Sequence, residues 1–437
     1  MSKTTRYLLA AGIALYVPAG AVAQTPAGQA KPTVQILVNI SDASPATLAA
    51  RDLRDALAGL CPAQEFVVVS KVPAGARGPV IHVGTAGGLK DVPAAAGAIR
   101  RLAGADSYVV AVAPGGKDAP PVAVIVGADG PGVVHGVWAL LRKLGFGPAL
   151  DGDIVPPARD GPLSFDGWDL ADRPLCPRRF VFNWHNFLSG CSSWDIDQWR
   201  RWIVQSQKMG YSAVMVHAYG NNPMAGFAFD GLDKPVGYLS STRVGRDWAT
   251  MHVNDVRRLI GGQVFDSPVF GSSASVAGSD AQRTAAARKL MAQAFDCAEK
   301  RGVDVIFAVD IDTTAANPQP LIARLPERAR FNVGDRGKDF WLPRPDTPEG
   351  YAYYKAQVAG LMAAYPQIDT LVMWFRTQGT PMSGLRIEQL PESWRAEYQA
   401  VVDKEPQVGR YWRSVGIFAM GKVARAFEKA LKEIGRE

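Results

Sequence analysis

The sequence predicts an α/β protein. A small N-terminal α/β sandwich domain is followed by a (β/α) TIM-type barrel that is incomplete, with about four β/α units. Three observations predict this. Short Val/Ile-rich runs alternate with helix-length segments of 3.6-residue apolar period from residue 34 onward. A stretch rich in Pro, Gly and Asp, Pro148 to Pro177, interrupts the alternation once and divides the chain. Beyond Arg178 the strand-like runs lead into long loops, and barrel proteins build their sites from the loops after each strand. A doubly wound sheet fits the same alternation, but the long loops favour the barrel.

The elements follow in order. Lys3 and Arg6 precede an apolar stretch broken by Pro18, and Ala21-Val22-Ala23 supplies small residues for cleavage, so residues 1–23 predict a secretory signal peptide. Residues 24–33 form a linker. Within the N-terminal domain, 34–150, Val34–Ile40 predicts a strand. Ser44 then caps a helix to Leu60 with Leu48, Leu53, Ala56, Leu57 and Leu60 on one face. Glu65–Ser70, Val80–Gly84, Ser107–Ala113 and Val122–Val126 predict further strands. The run Gly127-Ala-Asp-Gly-Pro-Gly132 opens a helix that ends at Gly145. It lacks the GxGxxG order and a following Lys-Ser/Thr, so it predicts a tight turn, with Gly136 letting the helix lie close on the sheet. The barrel domain, 178–437, predicts strands at Phe180–Trp184, Ser212–His217, Val303–Val309 and Ile368–Phe375. Its helices are Asp195–Met209, Ala281–Arg301, Thr347–Tyr365 and Gly416–Gly435, and residues 220–278 form a loop region.

Composition excludes several classes. The chain of 437 residues is 47% hydrophobic and 20% charged, which is globular rather than disordered. Its net charge of +7 is spread thinly, and no Lys/Arg cluster is interleaved with aromatics, so no nucleic-acid partner is expected. No long apolar run follows the N-terminus, so no membrane span is expected after signal cleavage, and the location expected is periplasmic or secreted. Cys61, Cys176, Cys191 and Cys297 make no CxxC pair. Cys176 and Cys191 either pair or remain thiols.

In a barrel the residues just past each strand point into one cleft. The first tip carries Trp184, His185 and Asn186, and the second His217, Tyr219, Asn221 and Asn222. The third carries Asp310 and Asp312, and the fourth Trp374, Arg376 and Gln378. Aromatic faces stack on sugar rings, while Asn, His, Asp, Arg and Gln bond hydroxyls. The concentration of both kinds at every tip suits a carbohydrate better than a phosphate or a hydrophobe. No HExxH or HxH motif is present, so no metal and no cofactor are expected. His185, His217, Asp310 and Asp312 converging across the tips would instead make a metal-dependent hydrolase.

The N-terminal domain carries Asp106-Ser-Tyr-Val-Val, Val126-Gly-Ala-Asp-Gly-Pro-Gly-Val-Val-His-Gly-Val-Trp-Ala-Leu-Leu, and Gly152-Asp-Ile-Val-Pro156. The barrel carries Arg179-Phe-Val-Phe-Asn-Trp-His-Asn-Phe, Trp199, Met209-Gly-Tyr, and Arg344-Pro-Asp-Thr-Pro-Glu-Gly-Tyr ahead of Tyr365-Pro366. In these residues the chain resembles glycoside hydrolases of the α-glucuronidase, β-hexosaminidase and α-N-acetylglucosaminidase type. The resemblance implies an N-terminal accessory domain before a barrel and hydrolysis of a glycosidic bond by carboxylate acid/base catalysis. Two departures stand out. Met373-Trp-Phe-Arg-Thr-Gln-Gly-Thr380 carries no acid where those enzymes commonly place one, and four strand–helix units fall short of the eight of a closed barrel. Asp310 and Asp312 alternate along one strand. Asp312 is therefore expected to be catalytic and Asp310 a hydroxyl or buried hydrogen-bond partner, with Glu388 reaching in from the loop beyond. Self-association is one way to complete the barrel. A binding protein that keeps the sugar contacts without the carboxylate pair is the rival expectation.

Overall fold

The computed structural model describes residues 31–38, 44–73, 78–114, 120–183, 194–220, 222–236, 279–311, 313, 316–334, 337–375 and 381–436. The expected signal peptide lies outside them. Two sheets organise these residues, each with its own apolar core.

The first sheet holds β1 (Thr33–Val38), β2 (Glu65–Val69), β3 (Val80–Thr85), β4 (Tyr108–Ala113) and β5 (Val122–Gly127). A short hairpin, β6 (Gly147–Ala149) and β7 (Gly152–Ile154), stands apart, and β8 (Leu170–Asp172) returns to the sheet. The order is β2-β1-β3-β5-β4-β8. The first four in that order are parallel, with Ile36 between Val68 and Ile81, whereas β4 runs antiparallel to both β5 and β8. Sequence reasoning assigned Pro148 to Pro177 to a connection. Three of its residues instead extend the sheet, a contribution too short to show a period.

Helices α1 (Pro45–Leu60) and α2 (Gly130–Lys143) cover one face of this sheet. Ser44 Oγ accepts from the Thr47 amide at 3.1 Å, and Asp129 Oδ1 accepts from the Gly132 amide at 2.8 Å. Leu53, Leu57, Val137 and Leu141 fill the space against Val34, Ile36 and Ile125. The glycines of the β5–α2 turn serve close packing. A Cβ on Gly136 would lie 2.9 Å from Ile125 Cγ2, and one on Gly127 would lie 2.2 Å from the Val133 nitrogen.

The second sheet holds β9 (Phe180–Asn183), β10 (Ala213–Ala218), β13 (Asp304–Asp310) and β16 (Ile368–Trp374), all parallel, in the order β16-β13-β10-β9. Between β10 and β13 lies a two-residue ladder, β11 (Ala228–Phe229) with β12 (Leu232–Asp233). Between β13 and β16 lies a hairpin, β14 (Arg330–Asn332) with β15 (Trp341–Pro343). Helices α3 (Ile196–Lys208), α4 (Asp280–Lys300), α5 (Pro348–Ala364), α6 (Glu392–Lys404) and α7 (Ser414–Glu433) complete this part. Capping boxes at Asp195/Gln198 and Ser279/Gln282 start α3 and α4.

The winding steps through the strands in one direction, and the large core lies on one face only. Trp199, Phe295, Phe307, Tyr353 and Tyr365 are among its buried side chains. Among the described residues no barrel closes, because β9 and β16 are both edges. The opposite face carries a smaller cluster, Ala213, Met215, Ile306 and Ala308 with Phe182, Val372 and Trp374. Helix α6 was not foreseen, although Trp394 and Tyr398, spaced i and i+4, anchor its buried side.

The two sheets meet where the strands of the second begin. Arg301 reaches Asp52 at 3.3 Å and Lys208 reaches Asp153 at 2.6 Å. Arg179, just before β9, joins Asp106 and His135 of the first unit. Cys61, Cys176 and Cys297 are free thiols, so Cys176 is not paired, while Cys191 lies outside the described residues. No described helix is long and apolar enough to cross a membrane.

Candidate functional site

The C-terminal ends of the second sheet place alternate side chains on the smaller, inner face. By that alternation Phe182, His217, Asp310 and Trp374 share it. Register brings them level, since Asp310 is the partner of Trp374 and His217 is the partner of Ala308, two residues before Asp310.

His217 is the centre of the group. Its Nε2 lies 3.0 Å from Asp310 Oδ1, and both side chains are almost wholly withdrawn from solvent. An ionised carboxylate only accepts, so the pair requires Nε2 to carry the proton. Aromatic rings surround the imidazole. Tyr219 lies 4.7 Å away edge-on, Trp374 5.1 Å away and Phe182 6.4 Å away, and Phe182 and Trp374 are 6.0 Å apart. A buried donor–acceptor pair with aromatic walls can hold a hydroxyl-bearing ring by stacking and by polar contact together.

Four of the expected site residues thus converge: His217, Tyr219, Asp310 and Trp374. Asn222 is buried close by in the chain, where its Oδ1 accepts from the Met224 amide at 2.9 Å and shapes the turn at 223–225. Glu388 lies in a 3-10 turn, Ile387–Gln389, with its side chain 73% exposed and 4.0 Å from Arg386, and it takes no part in the buried cluster. Trp184, His185, Asn186, Asn221, Asp312, Arg376 and Gln378 lie outside the described residues. Among the described residues no three His, Cys, Asp or Glu gather as a metal-ligand set.

Sequence reasoning missed Lys234, which is only 4% exposed. It follows β12, its amide donates to the Phe227 carbonyl at 2.8 Å, and its Nζ lies 5.4 Å from the Phe227 ring centroid. Burial pushes its ammonium down to about 7, and the Asp310 charge opposes that shift. No sequence signal marks it, because a lysine beside Gly231, Asp233 and Pro235 reads as a solvated loop charge.

No protein-family model and no curated protein matches the chain. Solved structures similar to it are glycoside hydrolases. One is a GH138 enzyme targeting pectin rhamnogalacturonan II, at 13% identity and a TM-score of 0.47, over 93% of this chain and 43% of that one. A second is a GH20 chitobiase from Flavobacterium johnsoniae, at 12% identity and a TM-score of 0.44, over 91% of this chain and 48% of that one. A third is a family GH115 4-O-methyl-α-glucuronidase with specificity for decorated arabinogalactans, at 12% identity and a TM-score of 0.35, over 92% and 62%. The chain therefore spans less than two thirds of the length of each. Likenesses of this strength bear on no residue and no reaction.

Proposed function

We propose that the chain is an exported glycoside hydrolase whose cleft lies at the C-terminal ends of the second sheet. The observation that carries the reading is the His217–Asp310 pair walled by Tyr219, Trp374 and Phe182. It combines a flat apolar surface with buried polar atoms, which is what a sugar ring needs. In this reading residues 34–150 form an accessory domain and 178–437 the catalytic one. Asp312 and Glu388 supply the acid/base carboxylates, and Trp184, His185, Asn186, Asn221, Asn222, Arg376 and Gln378 contribute further hydroxyl contacts. The periplasm or the exterior is the compartment proposed, and no cofactor takes part.

The second reading is a carbohydrate-binding protein without turnover. It is favoured by the exposure of Glu388 and by the engagement of Asp310 with His217.

The test incubates the protein with a panel of neutral and uronate-containing polysaccharides. It follows new reducing ends, and separately the retardation of the protein in gels containing each polymer. Release that falls about 100-fold or more in Asp312→Asn or Glu388→Gln supports hydrolysis. Retardation without release supports the binder. Neither release nor retardation with any polymer sinks both.

A further inference from the structure

The β6–β7 hairpin follows the first unit in sequence but pairs with neither sheet. Side chains of α3 fasten it to the second unit. Gln205 Nε2 donates to the Ala149 carbonyl at 2.8 Å and to Asp153 Oδ1 at 2.9 Å, and Lys208 Nζ donates to Asp153 Oδ2 at 2.6 Å. The two residues of the hairpin turn, Leu150 and Asp151, are thereby held at the wall of a cavity of about 400 Å³. Its other walls come from β9 and α3. Trp194, just ahead of α3, and Trp202 give it aromatic surface. Trp194 stands edge-on to Trp199 at 5.3 Å and lies 6.1 Å from Trp202, so its ring is fixed by packing. Gln198 and Arg201 reach the same cavity. Gln198 Oε1 accepts from the Asp195 amide at 2.9 Å, so its Nε2 is the end it can offer a ligand. Among the described residues no hydrogen bond or ion pair engages Asp151 or Arg201.

We propose that the cavity beneath the β6–β7 turn is a second saccharide-binding site, beside the His217 cluster, and that it takes a neutral sugar ring. Phe182 joins the two places. It lines this cavity and also walls the cluster, 6.4 Å from the imidazole and 6.0 Å from Trp374. The volume is that of a small-molecule site, and the indole surfaces suit the C–H face of a pyranose. A guanidinium only donates and a carboxylate only accepts. Arg201 and Asp151 together therefore match adjacent hydroxyls, which do both. One positive and one negative side chain leave the walls without net charge. A phosphate or a uronate is drawn to Arg201 but repelled by Asp151, whereas a neutral ring uses both. The first unit is then part of the binding surface, through its hairpin turn. The choice of a sugar rests on the carbohydrate reading above, while the cavity and its polar walls do not.

The experiment titrates the full chain with tetrasaccharides of glucose, xylose, mannose and galactose, and separately with tetragalacturonate and with inorganic phosphate. Saturation-transfer NMR reads the affinity for each. Asp151→Ala and Arg201→Met alter the cavity, and His217→Ala alters the neighbouring cluster. Asp151 and Arg201 are exposed, so both cavity variants are expected to keep the native thermal midpoint. At least one neutral tetrasaccharide is expected to bind, and to bind about tenfold or more weakly in each cavity variant. Unchanged affinity in both cavity variants overturns the site. If His217→Ala weakens binding in that case, the carbohydrate reading of the cluster stands without it. Tetragalacturonate or phosphate bound in preference to every neutral tetrasaccharide overturns the assignment of a neutral ring. No binding of any saccharide defeats the carbohydrate reading and this site together.

Discussion

The second sheet buries a histidine near each of its ends, and the two are held in opposite ways. Where the strands finish, His217 donates to a carboxylate within an aromatic ring of Tyr219, Trp374 and Phe182. Where they start, His135 of α2 lies 3.0 Å from Arg179 Nη2. A guanidinium only donates, so His135 Nε2 must accept and its ring must be neutral. Burial, followed by the Arg179 charge, pushes this imidazole down to about 4. Arg179 is otherwise consumed by structure. It bonds the Gly210, Cys176 and Pro177 carbonyls and pairs with Asp106 at 2.9 Å. Asp106 is itself fixed in a left-handed turn at φ 58°, its amide donating to Asp129 at 2.9 Å. The starting end is a fastening between two sheets, with its donors matched to acceptors. The finishing end buries a histidine–carboxylate pair under aromatic faces, and the proposed carbohydrate site rests on that arrangement.

The fastening gives the largest expected effect. Arg179→Met would strand the half-buried Asp106 carboxylate and unpair three carbonyls, a loss of about 3–5 kcal/mol in unfolding free energy. Denaturant titration at pH 7.5 checks it. A loss below about 1 kcal/mol would mean that the two sheets are held together by apolar contact instead.

Acid tests His135 next. Between its native value of about 4 and its unfolded value of 6.5, His135 binds fewer protons in the folded chain than in the unfolded one. Its contribution is complete above about pH 6.5 and is lost as pH falls toward 4, on the order of 3 kcal/mol in all. Other carboxylates titrate in the same range, so the informative quantity is a difference. In His135→Gln the amide oxygen still accepts from Arg179 but does not titrate. The stability gap between native protein and variant should shrink by that amount from pH 7 to pH 4. A constant gap would show that His135 does not carry the acid sensitivity.

At the finishing end, His217→Ala removes the Asp310 donor and the ring between Tyr219 and Trp374. It is expected to destabilise by about 2 kcal/mol, less than the loss of Arg179. Saccharide retardation in gels should fall with it under the carbohydrate reading. Full stability with full retardation would separate His217 from the cleft.

What the sequence reveals follows the range of each interaction. Ser44 acts on an amide three residues away, so the start of α1 was legible, whereas Asp195 and Ser279 act over the same range but were not read as caps. Alternation along the strands puts His217, Asp310 and Trp374 on one face, so that grouping was legible, and Tyr219 gathers with them. Arg179 was not legible as a clasp, since its neighbour Arg178 is the same residue type and lies in solvent. Lys234 was not legible because its burial depends on Thr284 and Arg288 of α4, with which it lines a small cavity. The three residues of β8 gain strand form only from β4 beside them. In each case the deciding partner is distant in sequence.

Glu388 gives the smallest stability effect and sharpens the contrast most. It lies in neither buried cluster, and its carboxylate faces water 4.0 Å from an equally exposed Arg386. Glu388→Gln should change unfolding free energy by no more than about 0.5 kcal/mol. The turn around it is held by Gln389, whose Nε2 donates to the Val333 carbonyl at 2.6 Å, and that bond is untouched by the substitution. Any loss of reducing-end release in this variant would therefore report chemistry rather than unfolding. Arg179→Met cannot offer that clarity. If Glu388→Gln proves destabilising by more than about 1 kcal/mol, the carboxylate has a structural partner in the working protein and its effect on release would no longer identify an acid or base.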